Sequence, residues 1–305
     1  MTSIAVLATA SSSDEGSAPV TAVPLVRSFL YVPGDRGDRV VKAFEAEADA
    51  VLIDLEDSVA LSAKEVARNE AVEILRRQSP SGPAVWVRIN SGELGRRDVA
   101  ALATKAVCLA GIVLAKCDDP SWLDEIGTSM PLSVQLAPLI ESALGLRRLD
   151  TLCAHPRVTQ CHLGEIDLLS DVGAHDDVAS QLLGHARAQL LYASAAAGIY
   201  PPIGGVYGAF RDLAGFAADS VHLAKLGFAG RPALHPSQVP VINTAFRPSP
   251  DEMTAAAALV AMYDEALASG RGAVIDDQGK MVDEAVVRRA RQLLASQPID
   301  EAQTN

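Results

Sequence analysis

Cysteine is scarce in this chain and carries no pattern. The four residues (Cys108, Cys117, Cys153 and Cys161) form no CxxC pair. That excludes a zinc-ribbon spacing or a disulfide framework and predicts reduced, mostly buried thiols of a cytosolic protein. Positive charge is also in deficit. Against 38 acidic residues stand 26 Lys and Arg, a formal net charge of -12, which argues against nucleic acid or an anionic membrane as the main partner. An anionic small substrate stays open, because a few local cations or a metal reverse the field within one pocket. No run of 18 or more apolar residues is present, so no transmembrane helix is expected. There is no GxGxxG, no Walker A and no GxSxG elbow. The first 26 residues lack a basic region, carry Asp14 and Glu15, and are rich in Ser, Ala and Thr. They read as a disordered leader rather than a signal peptide.

What is present is apolar sequence in short, regularly spaced runs. Hydrophobic residues make up 49% of the 305, enough for one large α/β domain with an appendage. Eight extended runs occur: Ser28 to Val32, Ala50 to Ile53, Ala84 to Ile89, Gly111 to Ala115, Leu132 to Ile140, Thr159 to Leu163, Pro201 to Tyr207 and Arg231 to Leu234. Each is continuous rather than alternating, as expected of parallel strands buried on both faces. Helix-like segments follow each in turn: Val40 to Ala46, Ala63 to Arg77, one near Asp98 to Ala106, Pro120 to Ile126, Leu144 to Ala154, His175 to Ala197, Leu213 to Leu226 and Ser237 to Ala245. Strand then helix, eight times, predicts a TIM (β/α)₈ barrel over residues 27–247. A break at Arg247-Pro248-Ser249-Pro250 precedes a helical C-terminal extension, residues 248–305. This extension must pack over the barrel, dock on a neighbouring subunit or act as a lid.

In such a barrel the C-terminal strand ends meet around one mouth. Here they carry Asp54, Glu56 and Asp57 after strand two, Arg88 and Asn90 on strand three, and Lys116 after strand four. Glu141 and Ser142 follow strand five, Glu165 and Asp167 strand six, and His235 strand eight. A charge ending an apolar strand costs burial energy unless paired or bound, and the acids outnumber the bases. A hard divalent cation such as Mg²⁺, held by two carboxylates with water and substrate, would resolve the excess. Glu141 and Asp167, which end adjacent strands, are the expected ligands. The competing reading pairs Glu141 with Lys116 or Arg88 in an ordinary ion network. Arg88, between Val87 and Ile89, suits a carboxylate or a developing enolate or alkoxide oxygen, or else a structural pairing with Glu56 or Asp57. His235 reads more readily as a strand-end structural histidine than as a base. The pair Gly204-Gly205 allows close backbone approach.

The motifs RSFLYVPGDR (Arg27 to Arg36), DAVLIDLEDSV (Asp49 to Val59), VRIN (Val87 to Asn90), LAKC (Leu114 to Cys117), APLIESALGL (Ala137 to Leu146), GEIDL (Gly164 to Leu168), GFAGRPALHPSQ (Gly227 to Gln238) and GKMVD (Gly279 to Asp283) resemble, in order and spacing, the citrate lyase β-subunit-like proteins of the HpcH/HpaI aldolase superfamily. The resemblance covers about residues 27–296. It implies a TIM barrel, often a homotrimer, using Mg²⁺ to cleave or form a carbon–carbon bond in a 3-hydroxy-acyl thioester, with an acetyl thioester and a 2-oxo acid as the other side of the reaction. By this resemblance Glu141 and Asp167 are the metal ligands, with Glu141 also near the substrate. Glu56 and Asp57 hold metal-bound water, and Arg88 contacts the oxo or hydroxyl oxygen. Asp283 reaches a neighbouring subunit's site from a C-terminal lid and moves a proton. Two departures, Ala115 where the family usually has Pro and the glycine-rich PPIGGVYG, fall on acyl-group recognition. Arg36 and Lys42 are candidate cations for a CoA groove. Alternatives are an aldolase of free hydroxy acids and a non-catalytic β subunit of a multi-chain lyase.

Overall fold

The computed structural model describes residues 26–78, 82–103, 108–175 and 179–295. The expected leader lies outside the described residues except for Val26. Seven strands form one sheet: β1 (Ser28–Pro33), β2 (Ala50–Asp54), β3 (Ala84–Ile89), β4 (Leu109–Leu114), β5 (Gln135–Ile140), β6 (His162–Leu163) and β7 (Arg231–Ala233). Their order is β6-β5-β4-β3-β2-β1-β7, and every neighbouring pair is parallel. Single parallel bridges join Ile203 to His162 on one side and to Gly230 on the other. The sheet therefore curls until its edge strands share a neighbour, in the manner of a TIM barrel. The run predicted as strand seven, Pro201 to Tyr207, is reduced to those two bridges at Ile203. Pro201 and Pro202 have no amide hydrogen to donate to a ladder.

Alternation along the strands divides the core in two. On β2, Val51 and Ile53 face the surrounding helices, whereas Ala50 and Leu52 face the interior of the curl. The interior is filled by Phe29, Leu52, Trp86, Val113, Ala137, Leu139 and Ile203 among others. Phe29 meets Trp86 edge-on at 5.5 Å and His162 at 4.9 Å. Gly111 is required beside this plug, since a Cβ there would lie 2.4 Å from the Trp86 ring. Burial pushes the His162 imidazole down to about 3, so at neutral pH the ring is uncharged and belongs to the packing.

Ten helices accompany the sheet among the described residues: α1 (Gly37–Ala43), α2 (Lys64–Arg77), α3 (Gly92–Ala103), α4 (Pro120–Ser129), α5 (Ala143–Arg147), α6 (Leu149–Cys153), α7 (Glu165–Asp171), α8 (Ala179–Ala197), α9 (Leu213–Leu226) and α10 (Val239–Ala245). Beyond shifts of about one turn, as in α1 and α4, three places depart from the sequence expectation. α3 starts six residues before Asp98. The segment Leu144 to Ala154 breaks at Arg148, whose backbone (φ -104, ψ 12) leaves the helical region. The segment predicted from His175 is preceded by a separate helix, α7, which gives way just before Gly173 at φ +64. That extra helix matters, because it carries Glu165 and Asp167.

The C-terminal residues form α11 (Pro250–Ala268), a hairpin of β8 (Val274–Ile275) and β9 (Met281–Val282), and α12 (Glu284–Ala295). Ser249 and Glu252 form a reciprocal capping box at the start of α11. Tyr263, Val282 and Val287 make a small core of this segment's own. Among the described residues no helix is long and apolar enough to cross a membrane, and all four cysteines are free thiols.

Candidate active site

Parity places the first pair. Asp54 follows the interior residue Leu52 by two positions and Arg88 follows Trp86 by two, so both side chains project inward at the strand ends. The register sets Asp54 directly opposite Arg88. Arg88 Nε donates to Asp54 Oδ1 at 2.6 Å and Nη2 to Oδ2 at 2.7 Å, a bidentate fork. Asp54 also accepts the amides of Glu56 (2.9 Å) and Ser58 (3.1 Å), which folds the loop after β2. Burial opposes charge on Asp54, but the Arg88 fork and the two amides hold it below the usual carboxylate range. The structural alternative for Arg88 was a pairing with Glu56 or Asp57. Its main partner is Asp54, and Glu56 takes the third position at 3.3 Å from Nη1. The Tyr31 ring lies 5.4 Å from the Arg88 guanidinium carbon. Asp54 was expected at the mouth but given no partner or role there, and Tyr31 was not among the expected site residues. The strand-end parity that places Arg88 could have found its pairing with Asp54.

Glu56 is buried between two cations, Arg88 and the Lys116 ammonium. Asp57 is more than half exposed and lies 3.6 Å from the same ammonium. Asn90 is structural: its amide nitrogen donates to Leu55 O and to Asp98, and Asp98 is also held by Arg68. Lys64 clamps the carbonyls of Leu55 and Glu56 at 2.8 and 2.7 Å.

Glu141 directly follows β5 and is 3% exposed. Its Oε1 accepts the backbone amide of Lys116 at 2.6 Å. Lys116 has φ +50, one of two non-glycine residues with positive φ among those described; a strained backbone is thus spent on aiming an amide at this acid. Gly164 closes in from β6, where a Cβ would come within 2.4 Å of Glu141 Cβ. The competing reading, in which Glu141 pairs with Lys116 or Arg88 as an ion pair, does not hold. The contact with Lys116 is through its amide, and among the described residues no basic side chain lies within ion-pair distance of Glu141. Burial pushes its carboxyl up to about 7, with the charges of Glu56 and Asp167 adding to the effect and the Lys116 amide and Arg88 opposing it. Asp167, half-buried in the first turn of α7, thus shares the Glu141 field.

The remaining strand-end residues have other work. Glu165 is buried and forked by Arg187 at 2.7 and 2.9 Å. Ser142 caps α5. His235 caps the turn at Pro236–Gln238, in line with its structural reading. Arg36 is exposed and pairs with Asp38, and Lys42 is exposed near the end of α1. Asp283 is not brought to this cluster by any hydrogen bond among the described residues. Its Oδ1 accepts the amides of Ala285 and Val286 at the start of α12.

The donor set fits a divalent cation. A buried acid without a countercharge, beside a second acid, gains most from one. Among the described residues no three His, Cys, Asp or Glu side chains gather at metal-binding distance. The chain would therefore supply two carboxylates and leave the other positions to water and substrate, which is the habit of Mg²⁺.

A curled parallel sheet with its charged residues at the C-terminal strand ends is an α/β-barrel enzyme with its chemistry at the mouth. The chain belongs to the HpcH/HpaI aldolase/citrate lyase family, whose model matches residues 27–236, and is thereby an enzyme of a family of carbon–carbon lyases. It is 33% identical to a (3S)-malyl-CoA thioesterase of Cereibacter sphaeroides over 271 residues, covering 88% of this chain and 93% of that relative. It is 30% identical to the citrate lyase subunit beta of Escherichia coli, covering 88% and 92%. With human mitochondrial citramalyl-CoA lyase it shares 28% identity, covering 87% and 83%. Among solved structures, CitE from Mycobacterium tuberculosis in complex with magnesium, acetoacetate and coenzyme A superposes with a TM-score of 0.73 at 29% identity, covering 89% of this chain and 98% of that one.

Proposed function

We propose that this chain is a Mg²⁺-dependent lyase that cleaves or forms a 3-hydroxy-acyl thioester of CoA, with an acetyl thioester and a 2-oxo acid as the smaller partners. The observation that carries the reading is Glu141: buried, with no basic side chain at ion-pair distance among the described residues, held at one oxygen by the Lys116 amide, and sharing its field with Asp167. Glu141 and Asp167 would hold the metal, and Glu56 and Asp57 would receive its water. When bound, the cation supplies Lewis acidity to the substrate oxygens.

The chain's own residues supply the rest. In the cleavage direction the 3-hydroxyl loses its proton, the C2–C3 bond breaks, C3 becomes the carbonyl of the oxo acid, and the thioester enolate takes a proton at its α-carbon. Arg88 is held rigid by the Asp54 fork, and its donors not used in that fork stabilise negative charge on oxygen without reorganising. The C-terminal helices and hairpin, from Pro250 to Ala295, act as the lid of the catalytic unit, and Asp283 of a neighbouring copy in a trimer handles the α-carbon proton.

The similarity to a malyl-CoA thioesterase supports a second reading, hydrolysis of the thioester. One assay separates the two. Purified protein is given malyl-CoA or citramalyl-CoA with Mg²⁺ or with EDTA, and the products are followed by oxo-acid derivatisation and by thiol titration. A lyase releases oxo acid and no free thiol, a thioesterase releases thiol and no oxo acid, and turnover undiminished by EDTA refutes the metal site.

A further inference from the structure

Asp167 stands on a seven-residue helix, too short to hold its own orientation. From the contacts that fix this helix, we infer that the buried Glu165–Arg187 pair is a positioning device that aims Asp167 at Glu141, and so sets the affinity of the metal site. The inference rests on the metal reading above.

Glu165 and Asp167 are two residues apart on α7, about 200° around the helix, so they leave it on opposite sides. Glu165 is 6% exposed and receives two hydrogen bonds from Arg187 of α8, at 2.7 and 2.9 Å. The pocket for Glu165 exists because residue 205 is glycine, where a Cβ would come within 2.6 Å of Glu165 Cγ. That gives the Gly204-Gly205 pair a specific reason.

Arg187 does not act alone. Its Nη2 lies 3.7 Å from Asp219 of α9. Asp219 in turn accepts from Arg231 of β7 at 2.8 Å, and Arg231 also donates to the Gly205 carbonyl at 2.9 Å. The chain of contacts therefore runs from α7 through α8 and α9 to β7 and back to the segment beside Glu165. At its other end, Asp171 of α7 accepts the amide of Ala143 at 2.7 Å, two residues beyond Glu141. Both ends of α7 are tied, one to the barrel wall and one to the loop that bears the other acid. A buried ion pair is a weak source of net stability; its value here is directional, because a bidentate fork fixes the helix both in rotation and in translation.

The test is calorimetric titration of MgCl₂ into purified protein: wild type, Asp167→Asn, Arg187→Lys and Glu165→Gln, with circular dichroism and thermal melts on each. Arg187→Lys keeps the charge and loses the fork; Glu165→Gln keeps the shape and loses the charge. Each is expected to keep its secondary structure and a cooperative melt while losing about tenfold or more in Mg²⁺ affinity. The two variants reach the same expectation independently, so the poor folding of one leaves the other decisive. If Asp167→Asn loses Mg²⁺ binding but Arg187→Lys and Glu165→Gln bind as wild type does, whatever their melting temperatures, the pair is structural only and the inference fails. If Asp167→Asn itself binds as wild type does, the metal reading falls first and takes this inference with it.

Discussion

Burial raises the Glu141 carboxyl from 4.5 to about 7, and this has a measurable consequence for stability. The folded chain binds the Glu141 proton more tightly than the unfolded chain. For the metal-free protein the resulting stabilisation is fully present below about pH 4.5 and is lost as the pH rises through about 7. At about 1.4 kcal/mol per pH unit the whole loss is roughly 3 kcal/mol. Asp54, held below its usual range, acts in the opposite sense: its contribution is present at neutral pH and is lost on acidification. The clean readout is therefore the difference between wild type and Glu141→Gln in urea unfolding with EDTA, from about pH 5 to about pH 8. Wild type should lose stability relative to the variant across that range. Added Mg²⁺ should restore it, because the metal needs the ionised carboxylate. Below pH 7 the Mg²⁺ affinity should climb about tenfold per pH unit and then level, a gain of about thirtyfold between about pH 5.5 and 8. About one proton should be released per metal bound at the acid end, read as a dependence of the titration enthalpy on buffer. Wild type and Glu141→Gln curves that run parallel in EDTA, or an Mg²⁺ affinity flat over this range, would refute the reasoning.

Two other substitutions bear on the same mouth. Arg88→Met strands the buried Asp54 carboxylate and should cost about 3–5 kcal/mol in chemical unfolding; combining it with Asp54→Leu should recover much of that loss, and a double variant no better than the single one would deny the pairing its role. Gly164→Ala puts a methyl group against Glu141 Cβ and should cost about 1–3 kcal/mol as well as weakening Mg²⁺ binding, although no charge changes; binding equal to wild type would show that Glu141 has room to move.

Much of the architecture was legible because its signals are local. Continuous apolar runs such as Ala50 to Ile53 mark strands buried on both faces, and the polar residue that ends each run marks the mouth. Glu141 and Asp167 stood out on those grounds. The weak places have equally physical causes. Pro201 and Pro202 cannot donate to a ladder, so the seventh run collapses to one bridging residue, Ile203. α7 was missed because its Glu165 and Asp167 read as strand-end acids, and only the gap before α8 reveals a separate helix. Asp283 lies far along the chain from the strand ends, and its observed side-chain bonds cap α12.

The division between the two kinds of information follows from range. By itself the sequence determined the repeating strand–helix order, the end of the sheet at which charge collects, and the family, because periodicity and motif spacing survive without coordinates. Only the tertiary structure decided which acid answers which base. Asp54 rather than Glu56 or Asp57 takes the Arg88 fork across 34 positions, Glu165 takes Arg187 across 22, and Glu141 is left with an amide instead of a cation. In a cluster of like residues every pairing is equally plausible until distances are set. Coulomb energy falls with separation and hydrogen bonds demand alignment, so the fold alone selects the acid left for a ligand.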